Sequence, residues 1–372
     1  MAVWWFFDNN INNNINNTTT TNNKVTRMSS DKRIVLVTGG AGFIGSHTVV
    51  ELMAANFDVV IVDNLVNASH ESLKRIAQLA GRPVLAFYEV DVRDAAALDR
   101  VFSAHAVYAV IHFAALKAVG ESVAQPLRYY DNNVHGSIVL CQAMARANVK
   151  RLVFSSSATV YGDKNVAPFR EDMPIGATNP YGETKVAVEM LLRSVAAADA
   201  AWEITLLRYF NPIGAHASGL IGEDPQGVPQ NLLPFIEQVA IGQREKLTIF
   251  GDRYETRDGT CIRDYIHVVD LARGHIAALN HSRPGADAVN LGSSRGHSVL
   301  EVVRAFERVN GVAVKFEIGA ARAGDIGVCY ADASKAARVL NFTPTHSLDD
   351  MVASAWKWRT LNPNGFKTQN KV

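Results

Sequence analysis

The stretch from Arg33 to Asn64, RIVLVTGGAGFIGSHTVVELMAANFDVVIVDN, decides the fold. RIVLVTGG (33–40) is a short apolar run ending in glycines, GFIGSHTVVELMAAN (42–56) has helical spacing, and DVVIVDN (58–64) is a second apolar run. Strand, tight turn, helix and strand make a βαβ unit. At its turn Gly40, Gly42 and Gly45 satisfy GxGxxG, while Gly39, Gly42 and Gly45 satisfy GxxGxxG. Glycines here permit a tight turn, let backbone N–H groups approach a pyrophosphate, and let the helix pack closely on the sheet. Asp63 closes the second strand 18 residues beyond Gly45. An acid there accepts hydrogen bonds from adenosine ribose hydroxyls and repels a 2′-phosphate, and no Arg follows it, so the spacing predicts NAD in preference to NADP.

Outward from this unit, VLAFYEVDV (84–92), AVIHFAA (109–115), RLVFSSSAT (151–159) and ITLLRYFN (204–211) are further strand candidates. DAAALDRVFSAH (94–105) and PLRYYDNNVHGSIVLCQAMARAN (126–148) read as amphipathic helices between them. The alternation predicts an α/β fold, a Rossmann-type doubly wound parallel sheet covered on both faces. After about residue 212 the regularity weakens, and 222–234 and 251–260 are loop-like. We therefore expect a dinucleotide-binding domain over 28–210, a smaller mixed α/β substrate domain over 211–366 with some segments crossing back, and a tail at 367–372.

Residues 1–27, MAVWWFFDNNINNNINNTTTTNNKVTR, have no structural period and fail as a signal peptide, because no positive charge precedes the short apolar core. They read as an expression leader before Met28. Without them the chain carries 35 basic and 35 acidic side chains, with no basic footprint for nucleic acid or a membrane surface. No apolar run reaches membrane-spanning length. The three cysteines, Cys141, Cys261 and Cys329, are scattered and show neither a disulfide framework nor zinc-site spacing. A cytoplasmic globular enzyme or binding protein is the class that remains.

Two further elements carry chemistry. Thr178-Asn179-Pro180 is a helix-start signal, and Tyr181 and Lys185 then fall four apart on one face of the first turns. A neighbouring ammonium and an oxidised nicotinamide would favour the phenolate, making Tyr181 a general base toward a substrate hydroxyl. Ser155, Ser156 and Ser157 place three hydroxyls at the carboxyl end of a parallel strand, the edge where such sheets bind ligands.

TGGAGFIGSH, HFAALKAVGESV, YYDNNVHG, SSSATVYG, NPYGETK, LRYFNPIGAH, GEDPQGVPQNL and RDYIHVVDLA appear in order across residues 33–366. With this set the chain resembles the UDP-glucose 4-epimerase family of the extended short-chain dehydrogenase/reductase superfamily. The resemblance implies reversible epimerisation at carbon 4 of UDP-glucose and UDP-galactose through a 4-keto intermediate. It also implies tightly bound NAD, a place in galactose metabolism, and a homodimer joined through helices of the dinucleotide domain. Ser157, Tyr181 and Lys185 match the family's catalytic serine, tyrosine and lysine. Gly39, Gly42, Phe43, Ile44, Gly45, Asp63, Asn64, Leu65, Val66, Asn67, Ala68, Asp91, Val92, Phe113, Ala114, Ala115, Lys117, Asn132 and Phe210 fall at cofactor positions, as do Ser157, Tyr181 and Lys185. Asp91 would hold the adenine amine. Lys117, Asn211, Asn231, Leu232, Phe250, Arg263, Arg322, Asp325 and Cys329, with Ser157 and Tyr181, fall at UDP-sugar positions. The small Cys329 implies that N-acetylated UDP-hexoses are accepted as well. One departure is Ala41, where the family's glycine loop commonly has Ser.

Some features tempt without carrying chemistry. Asp264, His267 and Asp270 lack metal-ligand spacing, His112 reads as a structural histidine, and Glu223 and Asp224 read as a loop turn. Other UDP-sugar enzymes remain as alternatives. A 4,6-dehydratase needs an acid pair where Ala158 and Thr159 stand; a UDP-uronate epimerase and, last, a non-catalytic NAD-binding scaffold are the others.

Overall fold

The structure is a computed structural model that describes residues 33–367, apart from 226, 228, 230, 323 and 324. The leader expected over 1–27 lies outside the described residues, as do 368–372. In chain order the elements are β1 (Ile34–Thr38), α1 (Phe43–Ala54), β2 (Asp58–Asp63), α2 (His70–Ala80), β3 (Ala86–Glu89), α3 (Ala95–Ala104) and β4 (Val107–His112). Then come α4 (Val119–Ala124), α5 (Pro126–Tyr129), a π turn (Tyr130–His135), α6 (Gly136–Arg146), β5 (Arg151–Ser157), a 3-10 turn (Ala158–Tyr161), α7 (Pro180–Ala198), β6 (Glu203–Tyr209) and β7 (Asn211–Ile213). The rest are α8 (Leu232–Ala240), β8 (Leu247–Phe250), β9 (Ile262–His267), α9 (Val268–Asn280), β10 (Gly285–Leu291), β11 (Gly296–Ser298), α10 (Val299–Asn310), β12 (Phe316–Gly319), β13 (Val328–Cys329), α11 (Ser334–Leu340) and α12 (Leu348–Leu361).

Seven parallel strands form the main sheet in the order β10-β6-β5-β4-β1-β2-β3, which reverses direction of growth between β1 and β4. Both faces are dry because successive strand residues feed opposite cores. Val35, Val37, Val59, Ile61, Ala109 and Ile111 pack under α1, α2 and α9. Leu36, Val60, Val62, Val110, Leu152 and Phe154 pack under α3, α6 and α7. A third core joins α8, α10 and α12 to the two-stranded sheet β12-β8. A small sheet of β7, β9, β11 and β13 is built around β9. The late elements α9 and β10 belong to the main sheet: α9 packs on α1, and β10 pairs with β6.

Two expected elements differ. The single helix over 126–148 is broken by the π turn, a bulge that frequently marks functional sites. The strand over 204–211 ends at Tyr209; Phe210 turns into a separate apolar cluster with Phe169 and Ala331, and Asn211 starts β7 beside β9.

Candidate active site

The site residues cluster where β1, β2, β4, β5 and β6 end, outside the carboxyl edge of the sheet. After β1 the chain turns at Gly39 with φ +71, and a Cβ there would lie 2.7 Å from the Ala114 nitrogen. A Cβ at Gly45 would lie 2.1 Å from the Gly39 carbonyl oxygen. Both positions therefore require glycine. Helix α1 starts at Gly42 with no side-chain cap and no acid in its first turn, which leaves its positive end for an anion. Asp63 accepts from Ala41 N at 3.0 Å and Leu65 N at 2.9 Å. Burial pushes its carboxyl up, against those two backbone bonds. An uncapped glycine-lined helix start beside a fixed carboxylate fits a dinucleotide: pyrophosphate at the N–H groups, ribose at Asp63.

The neighbouring loops are tied together. Asp91 is held down to about 2, first by its hydrogen bonds from Arg93, and Asn64 Nδ2 donates to its Oδ2 at 3.1 Å, the oxygen that Arg93 Nη2 also reaches. Thr38 Oγ1 and His112 Nδ1 lie 2.6 Å apart, and His112 Nε2 lies 3.1 Å from Ser137 Oγ. Burial lowers the His112 pKa to about 3, so it stays neutral and structural. Asn132, placed at the cofactor by resemblance, donates to Asn133 Oδ1 at 3.0 Å. Asn133 is the residue that binds the surroundings: it accepts from Leu116 N at 2.8 Å and donates to Leu116 O and Thr184 Oγ1, each at 3.0 Å. It thereby joins the Phe113–Lys117 loop to α7 beside Lys185. Its signal is a register shift of one residue within the π turn, which sequence spacing does not reveal.

Helix α7 begins as expected. Asn179 accepts from Gly182 N at 3.0 Å and Pro180 occupies the first turn. Lys185 is 4% exposed; its Nζ donates to Ser155 O at 2.7 Å and stands 5.8 Å from the Tyr181 ring centroid. Burial pulls its ammonium down to about 7. Ser157 Oγ accepts from Thr159 N at 3.2 Å and Thr159 Oγ1 at 3.0 Å, and it stands near enough to the Tyr181 phenol to favour the phenolate. With both acceptor bonds coming from Thr159, the Ser157 proton is left for a neighbouring acceptor.

Of the three serines at the end of β5, Ser155 Oγ pairs with Tyr209 Oη and Ser156 Oγ donates to Glu189 Oε1 at 2.6 Å, which leaves Ser157 as the one beside Tyr181. In the protein alone, burial holds the Tyr181 phenol above its ordinary value, with Ser157 acting in the opposite direction; the expected lowering calls on a positive nicotinamide as well as Lys185.

The expected UDP-sugar residues lie around β7, β9 and β13. Asn211 registers with Tyr265, and Cys329 with Arg263. Arg263 Nη1 donates to Ile326 O at 2.7 Å and Nη2 to Asp325 Oδ1 at 2.9 Å. Arg322 lies over the Phe250 ring at 3.8 Å from its centroid. Asn231, preceding Leu232 at the start of α8, does not cap that helix; its Nδ2 donates to Glu223 Oε1 at 2.6 Å, the oxygen that Lys117 Nζ reaches at 3.2 Å. Burial raises the Cys329 thiol to about 11, so it is a spacer and not a nucleophile. Phe43, Ile44, Leu65, Val66, Asn67, Ala68, Val92 and Ala115 sit in the loops and first turns flanking these contacts.

The tempting carboxylates are occupied. Asp264 accepts from Ser293 N and Oγ, Ser294 N and Ala331 N, Asp270 from Thr345 N and His346 N, and Asp224 from Phe366 N. Among the described residues no three His, Cys, Asp or Glu side chains group as metal ligands, and no helix is long and apolar enough to cross a membrane.

The model of the NAD dependent epimerase/dehydratase family matches residues 35–292. The chain is 54% identical over 336 residues to the UDP-glucose 4-epimerase of Bacillus subtilis (strain 168), covering 90% of this chain and 99% of that protein. The crystal structure of UDP-glucose 4-epimerase from Bifidobacterium longum in complex with NAD+ and UDP aligns at 52% identity and a TM-score of 0.86, covering 89% of this chain and 99% of that one. A Stenotrophomonas maltophila UDP-glucose 4-epimerase, solved with NAD and formylated UDP-arabinopyranose, aligns at 49% identity and a TM-score of 0.87, with 89% and 99% covered.

Proposed function

The chain belongs to the NAD dependent epimerase/dehydratase family, and from that premise we propose how its residues invert carbon 4 of a UDP-hexose. It is an NAD-dependent isomerase that interconverts UDP-glucose and UDP-galactose. The observation that carries the residue assignment is the convergence of Tyr181, Ser157 and Lys185 at the carboxyl edge of β5, beside the glycine turn and Asp63.

NAD, when bound, accepts and returns the hydride at carbon 4. Tyr181 takes the proton of the 4-hydroxyl and later gives it back. Ser157, which stands beside the phenol, shares that proton and orients the reacting oxygen. Lys185, seated on Ser155 O with its Nζ 5.8 Å from the Tyr181 ring centroid, would hold the nicotinamide ribose. Arg263 and Arg322 grip the diphosphate, with Asn211 and Asn231 alongside, so binding energy is realised away from the sugar, which stays free to turn its other face. A 4,6-dehydratase is disfavoured because Thr159, where an acid would stand, spends its hydroxyl on Ser157.

Three finer assignments go with this reading. The small Cys329 beside Arg263 supports acceptance of UDP-N-acetylglucosamine as well as UDP-glucose. Val123, Leu127, Tyr130 and Met190 are exposed apolar residues on α4, the α5–π-turn segment and α7, elements that pack on one another. That patch supports a homodimer joined through these helices. The unpaired cysteines Cys141, Cys261 and Cys329 support a reducing compartment, the cytoplasm, and galactose metabolism is the setting. The test is to denature the purified protein, identify the released cofactor, and assay the native protein with UDP-galactose and UDP-N-acetylgalactosamine. Absence of NAD, or no conversion of either sugar, refutes the proposal.

A further inference from the structure

Beneath the site lies a buried polar network that the reaction itself does not use. Glu189, one helical turn beyond Lys185, is 0% exposed. Its carboxylate accepts from Arg208 twice, from Nε at 2.9 Å and Nη2 at 2.6 Å, and from Ser156 Oγ at 2.6 Å. Ser156 sits between Ser155, whose carbonyl holds Lys185, and Ser157. The third arm of Arg208, Nη1, donates to Tyr161 Oη at 3.2 Å, and Tyr161 donates in turn to Asn290 Oδ1 at 2.6 Å. Tyr161 closes the 3-10 turn that begins immediately after Ser157. One network therefore holds the residue before Ser157 and the turn after it, and it starts from the helix that carries Tyr181 and Lys185.

A buried ion pair is weak evidence for stability, since apolar residues of like volume often serve as well; fixing a geometry is its better-attested use. We propose that Glu189 is a positioning residue: its carboxylate ties β5 to α7 and so sets the Ser157–Tyr181–Lys185 arrangement. The role rests on the epimerase reading for its catalytic meaning, but not for its geometry. The groups facing the Tyr181 phenol are Ser157 from β5, Tyr209 from β6 and Lys185 from α7. Loosening β5 lets Ser157 move away from the phenol, and Ser157 is the neighbour that favours the phenolate.

Replacing Glu189 would strand Arg208 in the core, so the informative variant is Ser156→Ala, which cuts the tie to β5 and leaves the ion pair whole. Tyr181 ionisation is read by ultraviolet difference titration, as the signal that disappears in Tyr181→Phe. In Ser156→Ala we expect Tyr181 to ionise about one pH unit higher, a tenfold change in its constant. We also expect kcat with UDP-galactose to fall about tenfold while KM and bound NAD stay unchanged. Ser156→Thr, which restores a hydroxyl, should recover both. If Tyr181 titrates as in the wild type and kcat holds, the network is merely structural, whatever happens to Tm. If the wild type does not convert UDP-galactose, the functional reading falls, and the titration alone still decides the positioning role.

Discussion

The Lys185 ammonium donates to the Ser155 carbonyl oxygen at 2.7 Å, which seats a cation of α7 on the strand that ends in Ser157. Burial lowers its pKa from 10.5 to about 7, so between those values the unfolded chain binds a proton that the folded one does not. Stability from this group therefore rises with pH across that window, by about 1.4 kcal/mol per unit. We expect urea unfolding to show wild type gaining on Lys185→Met from pH 7 toward 10.5. Parallel profiles would mean that Lys185 keeps its proton when folded.

In the proposed mechanism Tyr181 supplies the proton acceptor and Ser157 only shares its proton. Tyr181→Phe removes one hydroxyl without opening a cavity. UDP-sugar binding should stay nearly intact by calorimetry, while turnover falls by at least about a hundredfold. Wild-type turnover in Tyr181→Phe would remove the residue from its role.

Gly45→Ala tests the cofactor turn. A Cβ 2.1 Å from the Gly39 carbonyl oxygen forces either the turn or the start of α1 to move. The variant should purify with much less NAD than the wild type, measured on the denatured protein. Full NAD content would show that the turn can relax and that the close helix approach is dispensable.

Leu127, 84% exposed on α5, and Met190, exposed on α7, test the assembly. Leu127→Glu with Met190→Glu puts charge into the apolar patch at two exposed side chains. Light scattering should show a dimer for the wild type and a monomer for the double variant. A monomeric wild type at micromolar concentration ends the dimer proposal.

The β1–α1–β2 unit was legible because its apolar spacing changes period at a glycine turn, and Tyr181 and Lys185 because Asn179 and Pro180 announce a helix start. Strand β10 was not, because its partner β6 is distant in the chain and only its second half, Ala288–Leu291, is buried. Lys185 and Glu189 lie four apart on one helix, a spacing that by itself names no further partner. Only the fold brings Arg208 and Ser156 onto that carboxylate and makes it an anchor. Likewise the π turn decides that Asn133, not Asn132, joins the Leu116 loop to Thr184. Local pattern gives elements and turns; contacts between distant strands come from packing.

Cys329 carries the prediction about sugar breadth. It lies on β13 in register with Arg263, whose guanidinium is fixed by Ile326 O and Asp325. Because β13 is held to β9 at this point, a larger side chain at 329 cannot be absorbed by moving the strand without disturbing the arginine proposed to grip the diphosphate. It must instead take up space beside it, where the proposed reading places the 2-acetamido group. Cys329→Tyr should therefore lower kcat/KM for UDP-N-acetylgalactosamine by at least about tenfold while changing that for UDP-galactose less than about threefold, a steric penalty of one to two kcal/mol. Equal losses on both sugars would locate the effect at Arg263 and the diphosphate. No loss on either would place Cys329 outside the sugar pocket.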